Sequence, residues 1–229
     1  IHAGAVDLIF PHHENEIAQS EGATGKPFVK YFIEGEHLLV DSKKMSKSLG
    51  NFYTLRDIET KGFDPLAFRY LVLTAHYRSK LNFTWKSLAA AQKALDKLRE
   101  IVISLKIETH LLQNVEMLPK RFSEEFKNYI NNDLDTPRAL ALLWGIIKSK
   151  KISTKEKLNL AADFDKIFGL NLGKIKIAKI PLSVLELVKK REKYRQEKNF
   201  KKADEFRKKI RKLGWLIEDT AKESKIKRQ

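Results

Sequence analysis

Val6-Asp7-Leu8-Ile9-Phe10-Pro11-His12-His13-Glu14-Asn15-Glu16 changes its period at the proline. Val6 to Phe10 is a short β-prone run, Pro11 suits the first turn of a helix, and His12 to Glu21 continues with helical spacing. Downstream, Tyr31-Phe32-Ile33 and His37-Leu38-Leu39-Val40 are further strand candidates separated by Gly35. Thr54-Leu55-Arg56-Asp57 has the form of a capping box, which starts a helix that Gly62 ends. Strands alternating with short helices predict the tail of an open α/β domain over residues 1–62.

From Asp64 the period becomes helical and stays so. Asp64-Pro65 supplies an N-cap followed by proline at the first helical position, and Thr84-Trp85 opens the longest segment. There Leu88, Ala91, Leu95, Leu98, Val102 and Leu105 recur every three or four residues, as a helix in a bundle requires. Asp135-Thr136-Pro137 begins another apolar helix through Leu140, Leu143, Trp144 and Ile147, and Thr154 to Phe168 supplies one more. The expectation is a connecting segment over 63–83, an α-bundle over 84–172, and a linker from Gly169 to Pro181. Beyond it, Leu182 to Lys198 and Lys201 to Leu213 read as two charged helices closed by Gly214. Trp215-Leu216-Ile217 reads as strand-like, and Lys222 to Gln229 as a basic tail, giving a small domain over 181–229.

The chain has 229 residues, 42% of them hydrophobic, enough for one or two domains with a sizeable core. No apolar run approaches the ~20 residues of a membrane span, so an intracellular, soluble protein is expected. The opening at Ile1-His2, with no Met before it, reads as a portion of something longer. There is no cysteine, which excludes disulfides and thiolate metal ligands from within the chain. The formal charge of +16 is uneven. Residues 1–50 hold five Lys and Arg against seven Asp and Glu, whereas residues 181–229 hold 17 against eight. A basic end suggests a polyanion such as nucleic acid; a solvated lysine-rich surface is the alternative.

Two constellations carry chemistry. His12 and Glu16 are four apart on a helix, so they share a face on which imidazole and carboxylate can grip one ion, Zn²⁺ among them. Alternatively, Glu14 and Glu16 complement the helix dipole and the histidines are surface polar groups. In Asp41-Ser42-Lys43-Lys44-Met45-Ser46-Lys47-Ser48-Leu49-Gly50-Asn51, two lysines three apart among small hydroxyl residues make a cationic loop. An ammonium there acts as a point charge able to follow the charge on a leaving pyrophosphate. An exposed loop with ordinary lysines is the plainer reading.

Lys44-Met45-Ser46-Lys47-Ser48 resembles the second signature of class I aminoacyl-tRNA synthetases. Phe10-Pro11-His12-His13-Glu14-Asn15-Glu16 with Ile17-Ala18-Gln19-Ser20 resembles the cysteinyl-tRNA synthetase family. His76-Tyr77-Arg78-Ser79-Lys80-Leu81-Asn82-Phe83 and Asp133-Leu134-Asp135-Thr136-Pro137 extend the resemblance over essentially the whole chain. It implies an α/β plus α fold: the C-terminal part of a Rossmann-type catalytic domain, a stem-contact segment, a tRNA-binding helical bundle, and a small anticodon-binding domain.

The same resemblance implies ATP-dependent activation of L-cysteine to cysteinyl-adenylate and transfer to tRNA(Cys). Lys47 and Lys44 are the implied catalytic and ATP-contacting residues. His2 and Asp7 are implied on the nucleotide side, although Ala3 and Ala5 stand where glycines are usual. His12 and Glu16 are implied ligands of one zinc per subunit, and ATP is implied as substrate together with Mg²⁺. Zinc has a reason to be there, because a pocket that measures only size rejects serine weakly, whereas a metal distinguishes a soft thiolate from a hydroxyl. Implied tRNA contacts are Arg78, Lys80, Arg191, Arg195, Arg207 and Arg211, in a monomeric cytoplasmic enzyme without membrane contact.

The sequence lacks the family's first nucleotide signature, of His-Ile-Gly-His type, and the two cysteines that complete its zinc site. The chain alone is therefore expected to be inactive. A catalytically incomplete tRNA-binding module is one alternative. Another is a related cysteine-activating ligase acting on a small amine, against which the long basic C-terminal segment argues.

Overall fold

The computed structural model describes residues 1–110, 120–175, 182–197, 199–219 and 224–228. The chain divides into two compact units, residues 1–175 and residues 176–229.

The first unit opens on strand β1 (His2–Ala5), two short helical turns over Val6–Leu8 and Ile9–His13, and helix α1 (Glu14–Thr24). The α1 helix leads back to β2 (Phe32–Gly35), which runs parallel to β1 with His2 opposite Phe32 and Ala5 opposite Gly35. A parallel pair needs such a crossover. The β-prone run Val6–Phe10 is thus turn, not strand, and the ladder is made by the small residues just before it. Their size matters, because the ring of His13 lies against Gly4. A Cβ on Gly4 would come within 2.6 Å of His13 Cε1 and 2.8 Å of Nε2.

A second sheet joins β3 (Leu38–Val40), β4 (Lys43–Lys44) and β5 (Leu81–Phe83) in the order β4-β3-β5. The β3–β4 hairpin turns on Asp41 and Ser42, both at positive φ, and β3 runs parallel to β5. Between β4 and β5 lie α2 (Leu55–Thr60) and α3 (Pro65–Leu73). The capping box holds as the sequence predicts: Thr54 Oγ1 accepts from the Asp57 amide, and Asp57 Oδ2 accepts from the Thr54 amide at 2.7 Å. Asp64 caps α3 by accepting from the Leu66 amide at 2.8 Å.

The bundle consists of α4 (Trp85–His110), α5 (Lys120–Asn131), α6 (Thr136–Lys148) and α7 (Thr154–Phe168). All six periodic residues named on α4, Leu88 to Leu105, are buried. Phe126 of α5 stacks on Phe164 of α7, with ring centroids 3.9 Å apart and planes 8° from parallel. One apolar core runs from Val40, Ile58 and Phe83 through α3 into the bundle, with no break at residues 62 or 83. Gly169–Ile175, read above as the start of a linker, belongs to this unit. Leu170 and Leu172 are fully buried, and Lys106 Nζ donates to the Gly173 and Ile175 carbonyls at 2.9 and 2.7 Å. The rest of that linker, residues 176–181, lies outside the described residues.

The second unit pairs α8 (Leu182–Gln196) with α9 (Phe200–Lys212), followed by β6 (Trp215–Asp219) and β7 (Ser224–Arg228). Its core is small: Val184, Ile210, Trp215 and Ile217. The expected basic tail is in part a strand, since β7 pairs antiparallel with β6, Trp215 opposite Arg228 and Asp219 opposite Ser224. Lys222, Glu223 and Gln229 lie outside the described residues. Among the described residues, no helix is long and apolar enough to cross a membrane.

Candidate functional site

The end of β1, the turn over Ile9–His13 and the first turn of α1 bring four histidine and glutamate side chains together. Glu16 is the hub. Its Oε1 lies 3.6 Å from His12 Nε2, and its Oε2 lies 3.0 Å from His2 Nε2. The i, i+4 spacing of His12 and Glu16 therefore converges as the sequence predicts, with His12 58% exposed at the rim. Separations near 3 to 3.6 Å match donors that share a small cation with bonds of about 2.0–2.2 Å, so the donor set fits Zn²⁺. His2, assigned to the nucleotide side by resemblance, here faces Glu16. Asp7 is exposed in the turn after β1.

Two members of the cluster escaped the sequence reading. His13 is 3% exposed, with Nδ1 2.8 Å from Glu34 Oε1 on β2. Its ring sits 5.0 Å from that of His2 and 5.4 Å from that of Phe32, with Phe28 packed on His2 at 5.2 Å. Adjacency to His12 was the one available signal for His13. Glu34 had none, because the parallel crossover alone brings it within reach.

The lysine loop is pinned rather than loose. The Asn51 side chain accepts from the Ser46 amide at 2.8 Å and donates to the Lys44 carbonyl at 3.0 Å. Ser46 Oγ accepts from the Leu49 amide at 3.2 Å and meets Ser48 Oγ at 3.2 Å. Met45 packs on the core, while Lys44 and Lys47 remain exposed. The loop thereby combines an apolar anchor, a hydroxyl that closes the turn, and ammonium groups directed to solvent. Lys47 Nζ lies 5.7 Å from the Phe52 ring centroid.

The residues assigned to RNA separate. Lys80 is exposed, but Arg78 is engaged: its Nε lies 2.7 Å from Asp133 Oδ2 and donates to Tyr77 Oη at 3.0 Å. The Tyr77 hydroxyl donates to Asp133 Oδ1 at 2.5 Å. That donation and the Arg78 guanidinium hold the Asp133 carboxyl below the usual carboxylate range, and the same carboxylate pushes the Tyr77 phenol up. In the second unit Arg191 is 2% exposed, with Nη1 2.8 Å from Glu192 Oε1. A buried guanidinium does not present itself to a phosphate, so Arg191 is corrected from a contact residue to an internal one. Arg195 is half-buried, while Arg207 and Arg211 are exposed. These two line a cavity of about 330 Å³ with Asp204, Lys208, Trp215, Leu216 and Ile217.

Residues 1–93 match the family described as tRNA synthetases class I (C) catalytic domain. The whole chain is 44% identical over 241 residues to a cysteine--tRNA ligase of Chlamydia felis and 40% identical over 243 residues to that of Protochlamydia amoebophila. Its similarity to cysteine--tRNA ligases runs over the whole chain. The chain spans about half the length of the curated relatives it matches, 51% of the first and 50% of the second. Among solved structures, the Agrobacterium radiobacter K84 agnB2 LeuRS, in a ternary complex with tRNA and LeuAMS, superposes with a TM-score of 0.59. That match has 16% identity and covers 74% of this chain and 26% of the other, a likeness of fold alone.

Proposed function

We propose that this chain supplies part of a cysteine--tRNA ligase: the lysine loop, one half of a zinc site, and the surfaces that carry tRNA(Cys). The observation that carries the reading is the pinned Lys44–Asn51 loop, whose turn fixes the backbone while leaving two ammonium groups in solvent. In the reaction the cysteine carboxylate attacks the α-phosphate of ATP, and pyrophosphate leaves with the electrons of the broken P–O bond. Lys47, with Lys44 beside it, meets the charge that develops on that leaving group. The acyl group of cysteinyl-adenylate then passes to a ribose hydroxyl of tRNA, releasing AMP.

His12 and Glu16 would hold zinc, which when bound discriminates thiolate from hydroxyl. The chain contributes no thiolate, since it has no cysteine. With one of two nucleotide signatures, the 229 residues bind tRNA by themselves without turning over ATP. Exposed Lys80, Arg207 and Arg211 serve phosphates, positioning the RNA rather than reading its bases.

The test is binding of tRNA(Cys) by the 229-residue chain from 50 to 200 mM salt (about a fourfold range), where several phosphate contacts predict a loss of about 10²-fold or more. Binding without salt dependence, or no preference for tRNA over duplex DNA, overturns the reading.

A further inference from the structure

The hairpin that delivers the lysine loop is too short to stand by itself. Its outgoing strand β4 has two residues, and its turn is Asp41-Ser42, with φ of 47° and 62°. Two-residue turns with both residues at positive φ favour Asn-Gly, because most side chains resist the left-handed region, and Asp-Ser persists there only where its surroundings hold it. A hairpin of this length is marginal in water at best. Its support comes from β5. Asn82 Oδ1 accepts from the Ser42 amide at 2.7 Å, and Asn82 Nδ2 donates to Ser42 Oγ at 3.2 Å. The Phe83 carbonyl accepts from the Asp41 amide at 3.0 Å. The alternation of the strand places Asn82 for this task. Leu81 packs on the core and Phe83 is buried in it, so the side chain between them is exposed on the opposite face. Leu39 pairs with Asn82 on one side and with Lys44 on the other, so the three stand in a row across the sheet.

We propose that Asn82 is the positioning residue of the lysine loop: its amide group fixes the Asp41-Ser42 turn, and with it the place at which Lys44 and Lys47 present their ammonium groups. Asn51 also grips the loop, through the Ser46 amide and the Lys44 carbonyl, but it belongs to the loop and moves with it. Asn82 lies 40 positions from Ser42 on a strand anchored in the core, and groups carried on strands are held more closely than groups carried on loops. Asn82 therefore ties the loop to the frame, whereas Asn51 shapes it from within. Only the ligand assigned to the two lysines rests on the ligase reading; the hold on the turn does not.

The experiment uses the 229-residue chain labelled with ¹⁵N and ¹³C. In the unmutated protein a scalar coupling across the hydrogen bond, from the Ser42 nitrogen to Asn82 Cγ, is expected, and it depends on no variant folding. In Asn82→Ala, exchange of the Ser42 amide speeds by at least about tenfold, and backbone order parameters from Lys43 to Ser48 fall from about 0.85 to about 0.6 or below. Asn82→Asp keeps acceptors for both the Ser42 amide and the Ser42 hydroxyl, so it restores exchange to within about threefold. Asn51→Ala leaves the Ser42 amide protected, which separates the two supports. Inorganic pyrophosphate probes the lysines: its affinity falls by about threefold or more in Asn82→Ala and returns in Asn82→Asp. Absence of the coupling, loop order unchanged in a folded Asn82→Ala, or equal measurable affinity for pyrophosphate in the two proteins overturns the proposal. Failure of pyrophosphate to bind the unmutated chain, with loop order still lost in Asn82→Ala, sinks the ligase reading of the lysines and leaves Asn82 in its role.

Discussion

Tyr77 Oη donates to Asp133 Oδ1 at 2.5 Å, tying the segment between α3 and β5 to the turn between α5 and α6. Arg78 closes the same group from the other side at 2.7 Å. The Asp133 carboxyl is held below its ordinary value, first by the Tyr77 hydrogen bond and then by Arg78. Its contribution to stability is therefore complete above the unfolded value of about 3.9 and is lost as pH falls through the lower folded value. The Tyr77 phenol is raised, chiefly by the same hydrogen bond, so its contribution is present below about 10 and lost as pH rises through the higher folded value. Asp133→Asn removes both effects without straining the backbone, because Asn tolerates the positive φ of 55° found there. Urea midpoints from pH 2 to 11 (a range of about nine units) should show a smaller fall at both ends in the variant. Parallel profiles in the two proteins would show that the Tyr77–Asp133 contact contributes nothing.

Gly169 ends α7 at φ +63°, and a Cβ there would lie 2.9 Å from Arg69 Nε. The Arg69 guanidinium donates to the carbonyls of Phe168 and, at 3.3 Å, Ile167, which caps the helix from α3. Gly169→Ala should cost about 2–3 kcal/mol, of which the left-handed backbone accounts for about 1–2. A double-mutant cycle with Arg69→Ala separates the two causes. The steric part vanishes when Arg69 is absent, and the backbone part remains. Strict additivity in urea denaturation would sink this account.

Asn51→Ala should loosen the lysine loop while leaving the unit folded. Two side-chain bonds to the backbone of residues 44 and 46 are lost, each worth about 0.5–1.5 kcal/mol net. Amide exchange at Ser46, Leu49 and Gly50 should speed by about tenfold or more, while the melting temperature of the unit falls by only about 2–4 °C for each kcal/mol lost. Unchanged exchange at these amides would mean that Met45 in the core, rather than Asn51, fixes the loop.

Helices were legible where cap and stop both stand in the sequence. Thr154–Phe168 is bounded as read, because Ser153 and Glu156 complete a capping box and Gly169 takes the left-handed stop. Strands were legible only where side chains are large. Val6–Phe10 has the composition of a strand, yet the ladder falls on His2–Ala5, whose small residues have little β propensity, and of these Gly4 leaves room for the His13 ring. Likewise, Ser224–Arg228 is dominated by Lys and Arg and becomes a strand only by pairing with β6. At the site, His12 and Glu16 were readable because a helix fixes their spacing locally. Glu34 approaches His13 across 21 residues of chain, and no local periodicity records that.

Arg191 and Arg211 look equivalent in sequence and should behave in opposite ways. Arg191 is buried in a unit whose core holds few apolar residues, so Arg191→Ala removes packing as well as charge and should lower the stability of that unit by about 1–3 kcal/mol. Arg211 is exposed beside Arg207 and Lys208 on one face of α9, and its truncation should leave the melting curve within about 0.5 kcal/mol. Against tRNA the order reverses. Arg211→Ala should reduce the slope of log affinity against log salt by up to about 0.9, the share of one neutralised phosphate, while Arg191→Ala leaves the slope unchanged at temperatures where the unit stays folded. Thermal melts by circular dichroism and tRNA titrations across a salt series decide it. A smaller slope with Arg191→Ala in a folded protein would mean that the guanidinium reaches solvent, and would return Arg191 to the contact surface.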